Sequence, residues 1–177
     1  MGEIMALICH AQTLTFMKTS KILYALALVC GSFLFMGCPY SSSLPLSEAT
    51  MKIADSYVGT WEKAGSEGET VEIKRTSATS IDVLQTSTYD GTVTTYHCHF
   101  TDVNGALFLN LKEDGEYASF YFYKLEKDGE FKIKVLEVTS YIRETFESSE
   151  DMKKFFASNM ANSYFYSTDE VTYYKVK

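Results

Sequence analysis

Four dipeptides, Asp90-Gly91, Asn104-Gly105, Asp114-Gly115 and Asp128-Gly129, divide the middle of the chain into pieces of strand length. They are hairpin signals, because both residues of a tight hairpin turn take positive φ, which Asn, Asp and Gly tolerate. The intervals 92–103, 106–113 and 116–127 are rich in Thr, Tyr, Phe, Val and Leu. Each has room for one strand and none for a crossover helix, so successive strands run antiparallel. Upstream, Tyr57-Val58-Gly59-Thr60-Trp61-Glu62, Glu69 to Lys74 and Thr79 to Gln85 supply three more strands. Val71/Ile73, Ile81/Val83 and Leu107/Leu109/Leu111 mark inward faces at the two-residue period.

Phe131, Ile133 and Val135 alternate with Lys132 and Lys134, which predicts a seventh strand with outward lysines, and an eighth runs from Glu170 to Val176. One helix lies between them. Ser148 or Ser149 caps it, Glu150 and Asp151 suit its positive end, and Met152, Phe155, Phe156 and Met160 form an apolar stripe. That stripe packs on the barrel or serves as a lid over its mouth. Tyr141 to Phe146 has no assignment. The fold class is all-β: an antiparallel meander of about eight strands closed into a barrel with one C-terminal helix before the last strand. Closure removes the unpaired edges of an open sheet. A β-sandwich is the alternative.

The N-terminal region reads as an address. Residues Ile22 to Met36 form an apolar run preceded by Lys18 and Lys21 and followed by Gly37-Cys38. Fifteen residues fall short of the roughly 20 that a permanent membrane-spanning helix needs, so the run predicts a signal peptide. Met17 directly precedes Lys18, which makes 1–16 an upstream extension and 17–37 the signal. Phe35-Met36-Gly37-Cys38 resembles the lipobox of bacterial lipoproteins, which implies acylation of Cys38 and a lipid-anchored home in the cell envelope, by the sorting rules at the outer membrane, on an undetermined face. Pro39-Tyr40-Ser41-Ser42-Ser43-Leu44-Pro45 then reads as a tether, with 38–52 as the lipidated linker and 53–177 as the barrel.

Of four cysteines, Cys9 and Cys30 leave with the signal and Cys38 is committed to lipid, so Cys98 alone stays free. No intrachain disulfide is available, and stability must come from a packed core. The exported part carries 14 bases and 22 acids, a net charge of -8. Such a module has no basic field to recruit nucleic acid.

Gly59-Thr60-Trp61 on the first strand resembles the Gly-x-Trp signature of the lipocalins and lipocalin-like bacterial domains. The likeness implies that Gly59 and Trp61 form the barrel floor, with an arginine near the last strand stacked on the tryptophan; here Lys175 or Lys177 would have to substitute, or nothing fills that role. The run Phe146 to Phe156 and the closing Val171-Thr172-Tyr173-Tyr174-Lys175-Val176 resemble small Bacteroidetes lipoproteins of lipocalin-like type.

His97-Cys98-His99 is the one constellation with metal-ligand spacing, since residues two apart on a strand share a face. Further ligands would have to come from residues such as Asp82, Asp102 or Glu113. Two solvent-facing or barrel-lining histidines are the plainer reading, so no metal or other cofactor is expected. Cys98, between Tyr96 and Phe100 on the opposite face, reads as a small buried hydrophobe. No local motif for hydrolytic, phosphate-binding or dinucleotide chemistry occurs, which argues against an enzyme.

Tyr117, Phe120, Tyr121, Phe122 and Tyr123 put rings on both faces of one strand. An eight-stranded barrel is wide enough to be filled by side chains or to hold one small ligand. The expected function is therefore a lipid-anchored envelope domain that binds a small apolar or amphipathic molecule without catalysis. The alternative is a filled-barrel scaffold that contacts a protein or glycan.

Overall fold

In the computed structural model, which describes residues 39–115, 118–139, 141–167 and 169–176, the alternating segments form nine antiparallel strands in one sheet. The expected extension 1–16, the signal 17–37, Cys38, Tyr117 and Lys177 lie outside the described residues. The strands are β1 (Ser41–Ser42), β2 (Gly59–Lys63), β3 (Thr70–Arg75), β4 (Ile81–Thr86), β5 (Val93–Val103), β6 (Ala106–Glu113), β7 (Phe120–Lys127), β8 (Lys132–Glu137) and β9 (Val171–Lys175). Strands β2 to β8 pair in sequence order. β9 then pairs with both β8 and β2 and closes an eight-stranded barrel.

Only one of the four Asx-Gly pairs makes the two-residue turn. Asn104 (φ 51°) and Gly105 (φ 85°) join β5 to β6 with Val103 opposite Ala106, the type I′ geometry whose twist matches the strands. At Gly91, Gly115 and Gly129 the glycine alone has positive φ. Those hairpins have longer loops, which need a single left-handed residue.

The helix α1 (Ser149–Asn159) is capped by Ser148, whose Oγ accepts from the Asp151 N–H at 3.1 Å. It packs on the outer wall of the barrel. Met152 and Phe156 are buried against Val103, Phe108 and Phe122, with Phe165, Tyr166 and Val138 completing the layer. The lid alternative does not hold for a helix whose stripe is spent on the wall. The chain thus has two apolar clusters on opposite faces of one sheet. The inner one is built on Ile53, Ile81, Val83, Cys98, Phe100 and Leu109. Phe120 and Phe122 face the outer layer, whereas Tyr121 and Tyr123, opposite Leu111 and Leu109, face inward.

The segment expected to be a tether is part of the fold. β1 pairs with β7, Pro39 bridges Thr139, and Tyr40 and Leu46 are buried in the outer layer. The Leu46 N–H donates to Asn110 Oδ1 at 2.7 Å, and the fully buried Asn110 amide donates to Thr101 Oγ1 at 2.9 Å and to the His99 carbonyl. Among the described residues the folded unit thus includes residues 39–47, ahead of residue 53. Composition misled here, because two prolines and three serines conceal Tyr40, Leu44 and Leu46, which have a sheet edge and an apolar wall to cover. Phe131 also departs from its expected inward position: it sits in the β7–β8 loop, half exposed. Tyr141 to Phe146 is irregular, with Ile142 and Phe146 packed on the outer layer.

Candidate functional site

Toward the Trp61 end of the barrel the inward side chains Trp61, Ile81, Cys98, Phe100 and Ile133 are buried, while Ile73, Leu107 and Leu125 there are partly reached by solvent. Toward the other end Val71, Tyr96, Leu111, Tyr121, Tyr123, Val135, Glu137, Val171 and Tyr173 point inward and are still partly reached by solvent. Their direction follows from the register, since directly opposed residues share a face. Glu137 opposes Tyr123, Val135 opposes both Leu125 and Val171, and Tyr173 opposes Lys63. The barrel therefore has a packed floor and a wet mouth.

The floor is built around Trp61. Its Nε1 donates to the Tyr57 carbonyl at 2.9 Å, and the short turn Asp55–Tyr57 brings the Tyr57 ring edge-on to Phe100. Lys175 Nζ lies 5.6 Å from the centre of the Trp61 ring and donates to the Ser56 carbonyl at 3.2 Å. A cation over an indole face is favourable, and here the ammonium also closes a backbone carbonyl. Gly59 adopts φ +125°, and a Cβ there would meet Lys175 Cε at 3.1 Å. Glycine at the start of β2 thus lets the lysine reach the indole.

The mouth is lined by tyrosine. Tyr123 stands beside Glu137 and near Tyr96 and Tyr173, Tyr96 neighbours Tyr121, and Tyr173 faces the Lys63–Glu69 pair, whose Nζ–Oε1 distance is 3.0 Å. Burial pushes the Tyr123 hydroxyl well above its usual pKa, and the Glu137 carboxylate beside it adds to the shift. Burial likewise raises the Glu137 carboxyl, with the Tyr123 hydroxyl pulling the other way. Lys63 is held above the ordinary lysine range chiefly by its bond to Glu69. The result is a partly desolvated pocket of aryl faces and hydroxyls with one carboxylate.

The His97-x-His99 pair shares the outer face but does not converge. His97 Nδ1 meets Asp82 Oδ1 at 2.7 Å and Nε2 meets Asp114 Oδ1 at 2.9 Å, while His99 Nε2 lies 2.7 Å from the Ser47 carbonyl oxygen. Asp82 and Asp114 occupy both ring nitrogens of His97. Asp102 instead accepts from the Gly105 N–H at its turn, and Glu113 stands opposite Tyr96 at the mouth. Among the described residues no group of three or more His, Cys, Asp or Glu side chains is placed to hold a metal. Cys98 is buried on the inner face, where desolvation drives its thiol pKa far up and keeps it protonated.

His97 makes a testable contribution to stability. Its pKa is raised, first by the bond to Asp82 and further by Asp114. The folded state therefore binds the proton more tightly than the unfolded chain, and the stabilisation is complete below the unfolded value of about 6.5. It is lost as pH rises through the elevated folded value. The melting-temperature difference between the wild type and His97→Gln is expected to be largest near pH 6 and to shrink toward pH 8.5. A difference that grows with pH would refute the assignment. The ring is more than half exposed, so screening keeps the effect small.

On the outer wall a groove of about 350 Å³ runs between residues 39–43 and 142–146, lined by Tyr40, Ile142, Arg143 and Phe146 among others. It lies on the helix-bearing layer, not in the lumen.

Fold and site together define an up-and-down β-barrel with a closed floor and an accessible, tyrosine-lined mouth. No protein-family model matches the chain, and no similar curated protein or solved structure was found. No described helix is long and apolar enough to cross a membrane.

Proposed function

We propose that this protein is a non-catalytic carrier or sensor that holds one small amphipathic molecule in the mouth of its barrel. In this reading it is fixed to the cell envelope by lipid on Cys38. The partly open set at the mouth supports it: a barrel whose only task was to be a scaffold would gain stability by burying Val71, Leu111, Val135 and Val171 completely. Instead these side chains remain within reach of water, beside four tyrosines whose rings offer apolar area and whose hydroxyls offer polar contacts. Burial holds the Cys98 thiol protonated and so poorly nucleophilic, which supports a role in recognition rather than catalysis. The lipobox-like Phe35-Met36-Gly37-Cys38 supports the anchor.

The uncharged fluorescent probe N-phenyl-1-naphthylamine tests the lumen. It is expected to bind the purified protein, and Leu111→Trp, which fills the inner face, is expected to weaken binding at least tenfold while leaving the fold intact by circular dichroism. Unchanged binding in that variant would place the probe elsewhere and remove the proposal. For the anchor, the mass of the protein extracted from membranes is expected to match a chain starting at acylated Cys38, and Cys38→Ala should abolish membrane retention.

A further inference from the structure

The charges at the two ends of the barrel differ, and so do their partners. Among the described residues of 64–69, 87–92, 113–115, 118–119, 166–167 and 169–170, all at the mouth, there is no Lys or Arg, whereas Glu67, Asp90, Glu113 and Asp169 stand there. At the floor end charges are balanced: Arg75 pairs with Asp55 and Lys132 with Asp128, with Lys127 and Lys175 nearby. Such an asymmetry focuses a negative potential on the opening and draws cations toward it. Inside the mouth, Lys63 is already neutralised by Glu69. Glu137 is different: among the described residues it has no cation beside it, only the Tyr123 hydroxyl. A carboxylate turned into a half-desolvated lumen without a counter-ion costs stability, and the chain retains it.

We propose that the barrel selects amphiphiles by a positively charged head, an alkylammonium or quaternary ammonium group seated on Glu137 among Tyr96, Tyr121, Tyr123 and Tyr173. The apolar tail runs along Leu111, Val135 and Val171. Tyrosine faces attract a cation through their quadrupoles, and the attraction strengthens where water is partly excluded. A neutral head would leave the carboxylate unpaired, and an anionic head would be repelled by both Glu137 and the rim. The inference rests on the lumen binding proposed above and adds the chemistry of the ligand.

Three probes with the same tail separate the two claims: octylammonium, octanol and octanoate, each titrated into the purified protein below its micellar concentration and followed calorimetrically. Octylammonium is expected to bind at least tenfold more tightly than octanol, with octanoate weakest. Glu137→Gln should remove that preference, bringing octylammonium and octanol to within about threefold of each other. Tyr173→Leu, which keeps the carboxylate and removes one ring, should weaken octylammonium several-fold more than octanol. Equal affinity for all three probes, or preference for octanoate, would overturn the head-group selection while leaving lumen binding standing. If none of the three binds, the carrier reading falls with it.

Discussion

Replacing Phe156 by Ala is expected to lower the stability of the protein by about 3–5 kcal/mol, the range for truncating a buried phenylalanine. The ring is fully buried on the outer wall and meets Phe108, Phe122 and Phe165 with centroids 5.5, 5.4 and 5.0 Å away, all near edge-on, with Tyr40 at 6.3 Å. Removing it opens a cavity that four ring systems cannot all collapse into, and it takes away the larger of the two buried anchors of α1. A helix of eleven residues is too short to persist alone, so its order depends on that contact. Thermal unfolding followed by circular dichroism should show a fall of roughly 10–20 °C for a unit of this size. A loss below about 1 kcal/mol would mean that the helix does not pack where the structure places it.

Deletion of residues 39–47 is expected to be at least as damaging, which no deletion within a tether would be. It removes the burial of Tyr40 and Leu46, at about 1.5–3 kcal/mol each. It strips the Leu46 N–H from the buried Asn110 side chain and the Ser47 hydroxyl from Thr101, at 2.7 Å each. An orphaned buried amide oxygen costs about 1–3 kcal/mol more. The bond between His99 and the Ser47 carbonyl also goes. Denaturant titration should place the loss at several kcal/mol, or show no cooperative transition at all. Unchanged stability would restore the reading of this segment as a free linker. With the segment held in the wall, a lipid on Cys38 would join the chain directly before Pro39, which bridges Thr139, so the proposed anchor has no spacer.

Much of the barrel is legible in the sequence, because its signals are local. Turn residues, strand-length intervals and period-two alternation act within a dozen residues and need no partner to be read. Val71/Ile73, Ile81/Val83 and Leu107/Leu109/Leu111 all lie on the side that the alternation assigns to them. The mouth was less accessible. Glu137 follows Ile133 and Val135 at the same two-residue step, and Tyr173 holds the corresponding parity on the last strand, so their direction could have been extrapolated. Their convergence could not, because it requires β8 and β9 to come round beside β2, β5 and β7. His97 and His99 show the converse: shared parity put both on one face, but the aspartates beside one and the folded-back Ser47 beside the other decided what each ring does.

The sequence by itself determined an acidic chain's run of antiparallel strands, its one late helix and the inward set of each strand, since backbone φ preferences and side-chain alternation are properties of neighbouring residues. Only the tertiary structure decided that Pro39 to Ser47 belongs to the wall, that the helix covers the outside and leaves the mouth uncovered, and that one end of the lumen is packed while the other stays wet. Those outcomes depend on which apolar surfaces remain uncovered after the barrel closes. Residues far apart in the chain compete to cover them, and that competition is settled by area and shape rather than by local pattern.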